Sequence, residues 1–556
     1  MSDISYSAWN NFSKSYLWFI GSTRPICRKK RKKKAVYNHK EKLKDTIIGN
    51  QVKTIVDKLE VFHKPPQENI KVELITVLKQ FLERKHIAKH IEKCVPDRRN
   101  PDLTLYSKQS IMMSALAIFL FRMSSGNQFN DKSHDNDERY SNANMAKFID
   151  APKNRVPVIK TIEKFLENLE ENSMNDLMIN FFKDLQQSKF FAEHPRLMPG
   201  DFFLLAADCV HTHTYDHPHH LDKDGNNDCS YCLSQVHNPG EENEYIQWQH
   251  RNLVFSFIFM GGLKIPIYSY PIHASQVVHL ENASEEVNKQ ECEIIGLKIS
   301  LPLIREAFPR MKIILLLDGL YANKPVIQLA EEQKCGYIIV RKGGCLPLLA
   351  KECDEHATNA NHKKNCVKKC SSIHKNWMIE HKYEWFNSMY LGEAISTHVL
   401  RFWERRTKED EEELYQCEWL FSWKLSANNC RLAALQARSR WEIEDLFNSL
   451  KRRGYHLKHD YSRNPLSCFN WQGLALLSFG IFELFRFCEL VKKRGNWSQL
   501  SLAKKLLGQL LHRPTDEIFP FNSSKKRLIQ FRYHFVVIEF MLYDPIHQWG
   551  HAPETG

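Results

Sequence analysis

Apolar residues recur at three- and four-residue spacing through 71–95, 107–122 and 157–186, so the region 45–195 is predicted to be helical. The polar stretch 124–142, rich in Ser, Asn, Asp and His, is expected to be a loop between two of these helices. Near 201 the period changes. Phe202 to Ala207 is a short apolar run that ends in an acid, Asp208. Leu253 to Met260, then Gly261-Gly262, then Leu263 to Pro271 reads as a β-hairpin. A helical stretch follows over about 284–307, then a buried strand from Lys312 to Leu317 that ends in Asp318. Residues 324–333 read as helix and 337–340 as strand. The order strand, hairpin, helix, strand, helix, strand predicts a mixed α/β sheet with helices. Residues 344–429 interrupt it with strand-like pieces such as His398 to Trp403 and an acidic run, Glu409 to Glu413, expected to be a loop. Helical spacing resumes at 440–451 and again at 472–490, and 497–540 reads as a small helical tail.

These patterns divide the chain into a basic arm (1–44), a helical N-terminal region (45–195), an α/β core (196–343 with 430–490), an insertion (344–429) and a helical C-terminal tail (491–556). A length of 556 residues exceeds what one core normally holds, and 43% hydrophobic residues suffice to build real cores. Lys plus Arg outnumber Asp plus Glu by 78 to 65, a net charge of +13 that favours a polyanionic partner. The run Arg28 to Lys34 cannot pack and is expected to be a mobile arm, for phosphate contact, as a nuclear address in a eukaryote, or as a solubilising tail. The longest apolar run, Ile111 to Phe121, is broken by Ser114 and too short to span a bilayer. No signal-peptide pattern opens the chain, and an odd count of 15 cysteines fits reduced thiols, so a cytosolic compartment is expected.

The stretch Arg440 to Lys451 carries the strongest chemical signal. Its apolar residues Ile443, Leu446, Phe447 and Leu450 have helical spacing, and Arg440, Glu444 and Lys451, four and seven residues apart, share nearly one face. A carboxylate flanked by two cations suits a metal ion acting on a phosphodiester whose oxygens the cations hold. Taken alone, the pattern also fits an exposed ion-pair helix. Asp208 and Asp318 change that picture. Both follow buried strands, and strand ends are where ligand groups converge in open α/β sheets. Fixed carboxylate oxygens suit Mg²⁺, and two acids with Glu444 could hold a pair of ions. Glu442 competes for the third position but points about 200° away around the helix.

Over roughly 100–490 the chain resembles DDE transposases of the IS4-like superfamily, which have an RNase H-like catalytic core. The marks are Leu204-Leu205-Ala206-Ala207-Asp208, Leu315-Leu316-Leu317-Asp318-Gly319-Leu320-Tyr321-Ala322-Asn323, and Arg440-x3-Glu444-x6-Lys451 followed by Gly454-Tyr455-His456-Leu457-Lys458-His459. The family's third block reads Tyr-x2-Arg-x3-Glu-x6-Lys, and here the tyrosine position holds Ala437. The resemblance implies an RNase H-like mixed sheet with an insertion before the glutamate helix. It implies a catalytic set of Asp208, Asp318 and Glu444 on two Mg²⁺ or Mn²⁺ ions, with Arg440 and Lys451 on DNA phosphates. Tyr321 and Asn323 are further candidates for DNA contact, with capping and turn roles open to both. The implied activity is cut-and-paste transposition: cleavage at terminal inverted repeats and strand transfer of the freed 3′-hydroxyls into target DNA by a homodimer. A bacterial, nucleoid-associated location is expected, or a nuclear one in a eukaryote. A catalytically silent relative that regulates through DNA binding, and a zinc-dependent DNA-binding protein, are the alternatives.

Two cysteine–histidine clusters remain. His211, His213, His217, His219 and His220 precede Cys229-x2-Cys232 and His237. Thiolates two residues apart with imidazoles nearby fit tetrahedral Zn²⁺, so Cys229, Cys232 and His237 are candidate ligands of a structural zinc, with His250 as a further one. Cys345, Cys353, His356, His362, Cys366, Cys370 and His374 are more loosely spaced and read as a solvated loop.

Overall fold

The structure, a computed structural model, describes residues 73–519 apart from 135–139, 199–200, 275–284, 375–376, 393–394, 409–410 and 491–497. The basic run Arg28 to Lys34 and the end of the C-terminal tail lie outside the described residues.

The expected helices form. Leu74–Arg84, Ile87–Cys94, Lys108–Leu120, Ile159–Glu167 and Ser173–Gln187 carry the three- and four-spaced apolar positions. The Lys108–Leu120 helix is buried from Ser110 onward and starts where the Ser107 hydroxyl accepts from the Ser110 N–H at 3.1 Å. Part of the polar stretch 124–142 is also helical, as Gly126–His134. Its anchor is a fully buried Phe129, and Gly126 packs so tightly on Ile159 that an added Cβ would lie 2.2 Å from Ile159 Cγ1. Polarity concealed this helix because one aromatic supplies most of its buried face.

Among the described residues, ten strands form a single sheet: β1 (Phe203–Tyr215), β2 (Leu233–His237), β3 (Tyr245–Ile258), β4 (Lys264–Pro271), β5 (Ile313–Leu317), β6 (Gly336–Arg341), β7 (Val367–His374), β8 (Trp377–Tyr390), β9 (Ser396–Lys408) and β10 (Glu411–Phe421). The order is β2-β3-β1-β5-β6-β10-β9-β8-β7, with β4 also on β3. β3 pairs antiparallel with both β1 and β4, whereas β5 runs parallel to β1 and β6 parallel to β5. This is the RNase H-like mixed sheet expected. Gly261 and Gly262 both hold positive φ in the β3–β4 turn, as the hairpin reading required.

Two expectations change. The first strand continues past Asp208 through polar residues to Tyr215, so that Asp208 lies inside β1. It does so because β3 starts well before Leu253 and pairs with β1 from Trp248, opposite Tyr215, onward. The acidic run is also partly strand. Glu411, Glu412 and Glu413 open β10 opposite Lys408, Thr407 and Arg406, and Arg405 and Arg406 reach Glu412 and Glu413 at 3.1 and 3.6 Å. Opposite charges across the ladder make an acidic strand stable where an isolated run reads as a loop.

The insertion continues the core sheet, because β10 pairs antiparallel with β6. The helix Pro465–Phe485 is buried from Ser467 to its end and packs on both β4 and the Lys108–Leu120 helix, so one apolar core joins the N-terminal helices to the sheet. This helix, continued to Glu489, is apolar and long enough to cross a membrane, yet protein covers 94% of its most apolar window.

Candidate functional site

The parallel pairing of β1 with β5 runs from Phe203↔Ile313 to Ala206↔Leu316 and stops. Two residues further on each strand stand Asp208 and Asp318, at the same level where the strands part. Asp318 ends its strand and caps the following turn, accepting from the Leu320 N–H at 2.9 Å. Asp208 accepts from the Cys209 N–H at 2.8 Å.

Glu444 arrives from the helix Trp441–Arg452, which a tight turn at Ser439-Arg440 joins to the helix Cys430–Arg438. Arg440 therefore stands at the start of the glutamate helix. Its guanidinium meets Glu444 Oε1 at 2.8 Å and lies 3.9 Å from Asp208 Oδ2. Asp208 and Glu444 thus share one buried cation. Burial pushes the Asp208 carboxyl up to about 6; the charges of Asp318 and Glu444 push the same way and Arg440 opposes them. The structure therefore brings Asp208, Asp318 and Glu444 to one place from three distant stretches of chain.

Glu442 is placed elsewhere. It binds the buried Lys264 Nζ at 2.6 Å, which Asp445 also binds at 2.8 Å, while Arg453 meets Asp445 at 3.0 Å. Burial alone would raise the Asp445 carboxyl, but Lys264 and Arg453 hold it at about 2. This cluster sets the rotation of the helix and so turns Glu444 toward the strands.

Lys451 is half-buried on the same helix. Burial, then Lys458 and Arg452, lower its ammonium pKa, and Asp208 acts against them. Lys342 follows β6 and reaches Asp318 Oδ2 at 3.3 Å. It does so across Gly319, where an added Cβ would lie 2.5 Å from Lys342 Cγ. Sequence reading passed over Lys342, although its place just past the strand beside β5 was the available signal. Tyr321 is a correction. It is fully buried with its hydroxyl 3.4 Å from Glu293 Oε2, leaving no surface for DNA. Asn323 caps the helix Lys324–Glu332 by accepting from the Val326 N–H at 3.0 Å, which is the capping reading of this residue. Ala437, where the resembling family has tyrosine, is buried in the helix Cys430–Arg438.

Farther along β1 and β3 lies the cysteine–histidine cluster. His250 Nε2 stands 3.4 Å from Cys229 Sγ and 3.2 Å from Cys232 Sγ, and the ligand atoms of His219, Cys229 and His250 all lie within 4.8 Å of one another. His237 is not among them. It pairs with Tyr245 at the far end of β2 and stacks on its ring, centroids 4.7 Å apart. Of the looser second cluster, Cys345, Cys353, His356, His362, Cys366 and Cys370 form no metal-holding group among the described residues.

No family model matches this chain, and no curated protein matches it. Among solved structures it is similar to a piggyBac transposase synaptic complex with hairpin DNA, seen by cryo-EM, at 10% identity over 83% of this chain and 85% of that one, with a TM-score of 0.35. So low a score leaves the reading of this chain on its own residues.

Proposed function

We propose that this protein is a DNA transposase that cleaves the ends of its element and joins the freed 3′-hydroxyls to target DNA. The observation that carries this reading is the meeting of Asp208, Asp318 and Glu444 where β1 and β5 part on an RNase H-like sheet. Three carboxylates offer hard oxygen donors, and burial, with the charges of Asp318 and Glu444 behind it, raises the Asp208 carboxyl, a cost that divalent cations would relieve. Asp208, Asp318 and Glu444 would hold Mg²⁺ or Mn²⁺, which when bound supplies an activated attacking oxygen and a neutralised leaving oxygen. The chain's own residues orient the DNA. Arg440, buried between Asp208 and Glu444, is a planar, two-pronged donor that metal binding to those acids would free for a phosphate, and Lys451 and Lys342 add charge near the acids. Because cleavage and joining are both phosphoryl transfers, one set of acids serves both.

Ala437 favours a second reading, a silent DNA-binding relative, since it removes the contact that tyrosine makes in the resembling family. One experiment separates the two. Duplexes carrying the inverted repeats that flank the coding sequence are incubated with protein and Mg²⁺, and strand breaks are read on a denaturing gel. The wild type is expected to cut, and Glu444→Gln to lose cutting while still shifting the end duplex. Cutting by Glu444→Gln would remove Glu444 from the mechanism, and no cutting by the wild type would leave the silent reading.

A further inference from the structure

We infer that Cys229, Cys232, His219 and His250 form a tetrahedral zinc site that pins the segment between β1 and β2 onto β3. This site is independent of the reading of the three acids.

The backbone prepares the ligands. The Cys232 N–H donates to the Cys229 carbonyl at 3.2 Å, a tight turn that points both sulfurs to one side, and the His219 N–H donates to Cys232 Sγ at 3.2 Å, a bond that favours thiolate. His250 comes from β3, opposite His213 of β1. With Zn–S near 2.3 Å and Zn–N near 2.0 Å, a tetrahedron separates sulfur from nitrogen by roughly 3.6 Å. The His250 separations of 3.4 and 3.2 Å approach that value. The side chain of His219 is only 4% exposed, yet neither of its ring nitrogens makes a hydrogen bond, Nε2 coming no nearer than 3.8 Å to Asp460 Oδ2. Two buried, unsatisfied nitrogens are costly in a purely protein cluster, and a metal bond removes that cost at one of them.

His219 also neighbours Asp460 and Cys468. That second grouping is the weaker site, because the Cys468 thiol already donates to the Ser462 carbonyl at 2.8 Å. His237 fails on reach. It lies five residues beyond Cys232 along a strand, roughly 17 Å away. The zinc is structural. Asp208 pairs with Val254, four residues from His250, which places the site roughly 14 Å from the acids.

The test is elemental analysis of the full-length protein purified under reducing conditions. One zinc per chain is expected, lost in Cys229→Ser, Cys232→Ser, His219→Ala and His250→Ala, and kept in His237→Ala and Glu444→Gln. Replacing zinc with Co²⁺ in the wild type gives a readout that does not depend on a variant folding, with the intense visible bands of a tetrahedral site and a thiolate charge-transfer band expected. Metal-free protein with a Cys229–Cys232 disulfide, an octahedral Co²⁺ spectrum, or zinc lost on changing His237 but kept on changing His219 would each overturn the assignment. Full zinc in an inactive Glu444→Gln protein keeps this inference separate from the reading of the acids.

Discussion

Asp208 illustrates how a residue suited to chemistry harms the fold that holds it. Its carboxyl titrates near 6 because burial and two neighbouring acids disfavour its charge. A carboxyl raised above its unfolded value costs stability wherever it is ionised in the native state. The cost sets in as pH rises from the ordinary value of 3.8 toward 6 and is complete above that. In EDTA at pH 7, Asp208→Asn is therefore expected to stabilise the protein by about 1–3 kcal/mol, after discounting for the part of the side chain that water reaches. The gain should shrink as pH falls from 6 to 4. Thermal melts across that range check it, and an equally stable or weaker variant at pH 7 contradicts the electrostatics. At this scale the acids were legible, since each follows or interrupts an apolar run and Glu444 has a helical frame around it. Tyr321 was not, because hydroxyl-bearing residues look alike in sequence whether they face solvent or donate to a buried partner such as Glu293.

The glutamate helix works as an element because a second cluster indexes it. Lys264 at the start of β4 binds Glu442 and Asp445, one turn of the helix apart in their facing, while Glu444 points to the strands. Lys264→Met is expected to destabilise the protein by about 2–4 kcal/mol, toward the low side of a broken buried ion pair because both acids retain some solvent. Urea unfolding measures this, and an unchanged midpoint would show that the helix does not depend on the lysine. Periodicity revealed the helix and its charged face. It could not reveal Lys264, 178 residues away from Glu442, because long-range ion pairs leave no local pattern. The acidic opening of β10 was hidden for the same reason, as its cationic partners lie on β9.

Across the whole molecule, the excess of 13 positive charges and the cations around the acids suit a long polyanion. Binding to a duplex is expected to weaken roughly a thousandfold between about 50 and about 200 mM salt, as for a protein covering some six phosphates. Fluorescence anisotropy titrations give the slope, and a flat dependence would point away from DNA. Sequence order sufficed for β1, β3, β4, β5 and β6, through the Gly261-Gly262 turn and the intervening helices, but not for β2 or for the full lengths of β1 and β3. What it left open was how residues 344–429 attach, because an antiparallel join of β10 to β6 is a matter of edge hydrogen bonds that no residue pattern encodes. That join has a mechanical side. The chain leaves β10 and enters, within nine residues, the helices that present Arg440 and Glu444. The third acid is thus carried at the end of a lever whose long arm is the outer meander β7 to β9. A body that gripped those distant strands would tug on the three acids without ever touching them.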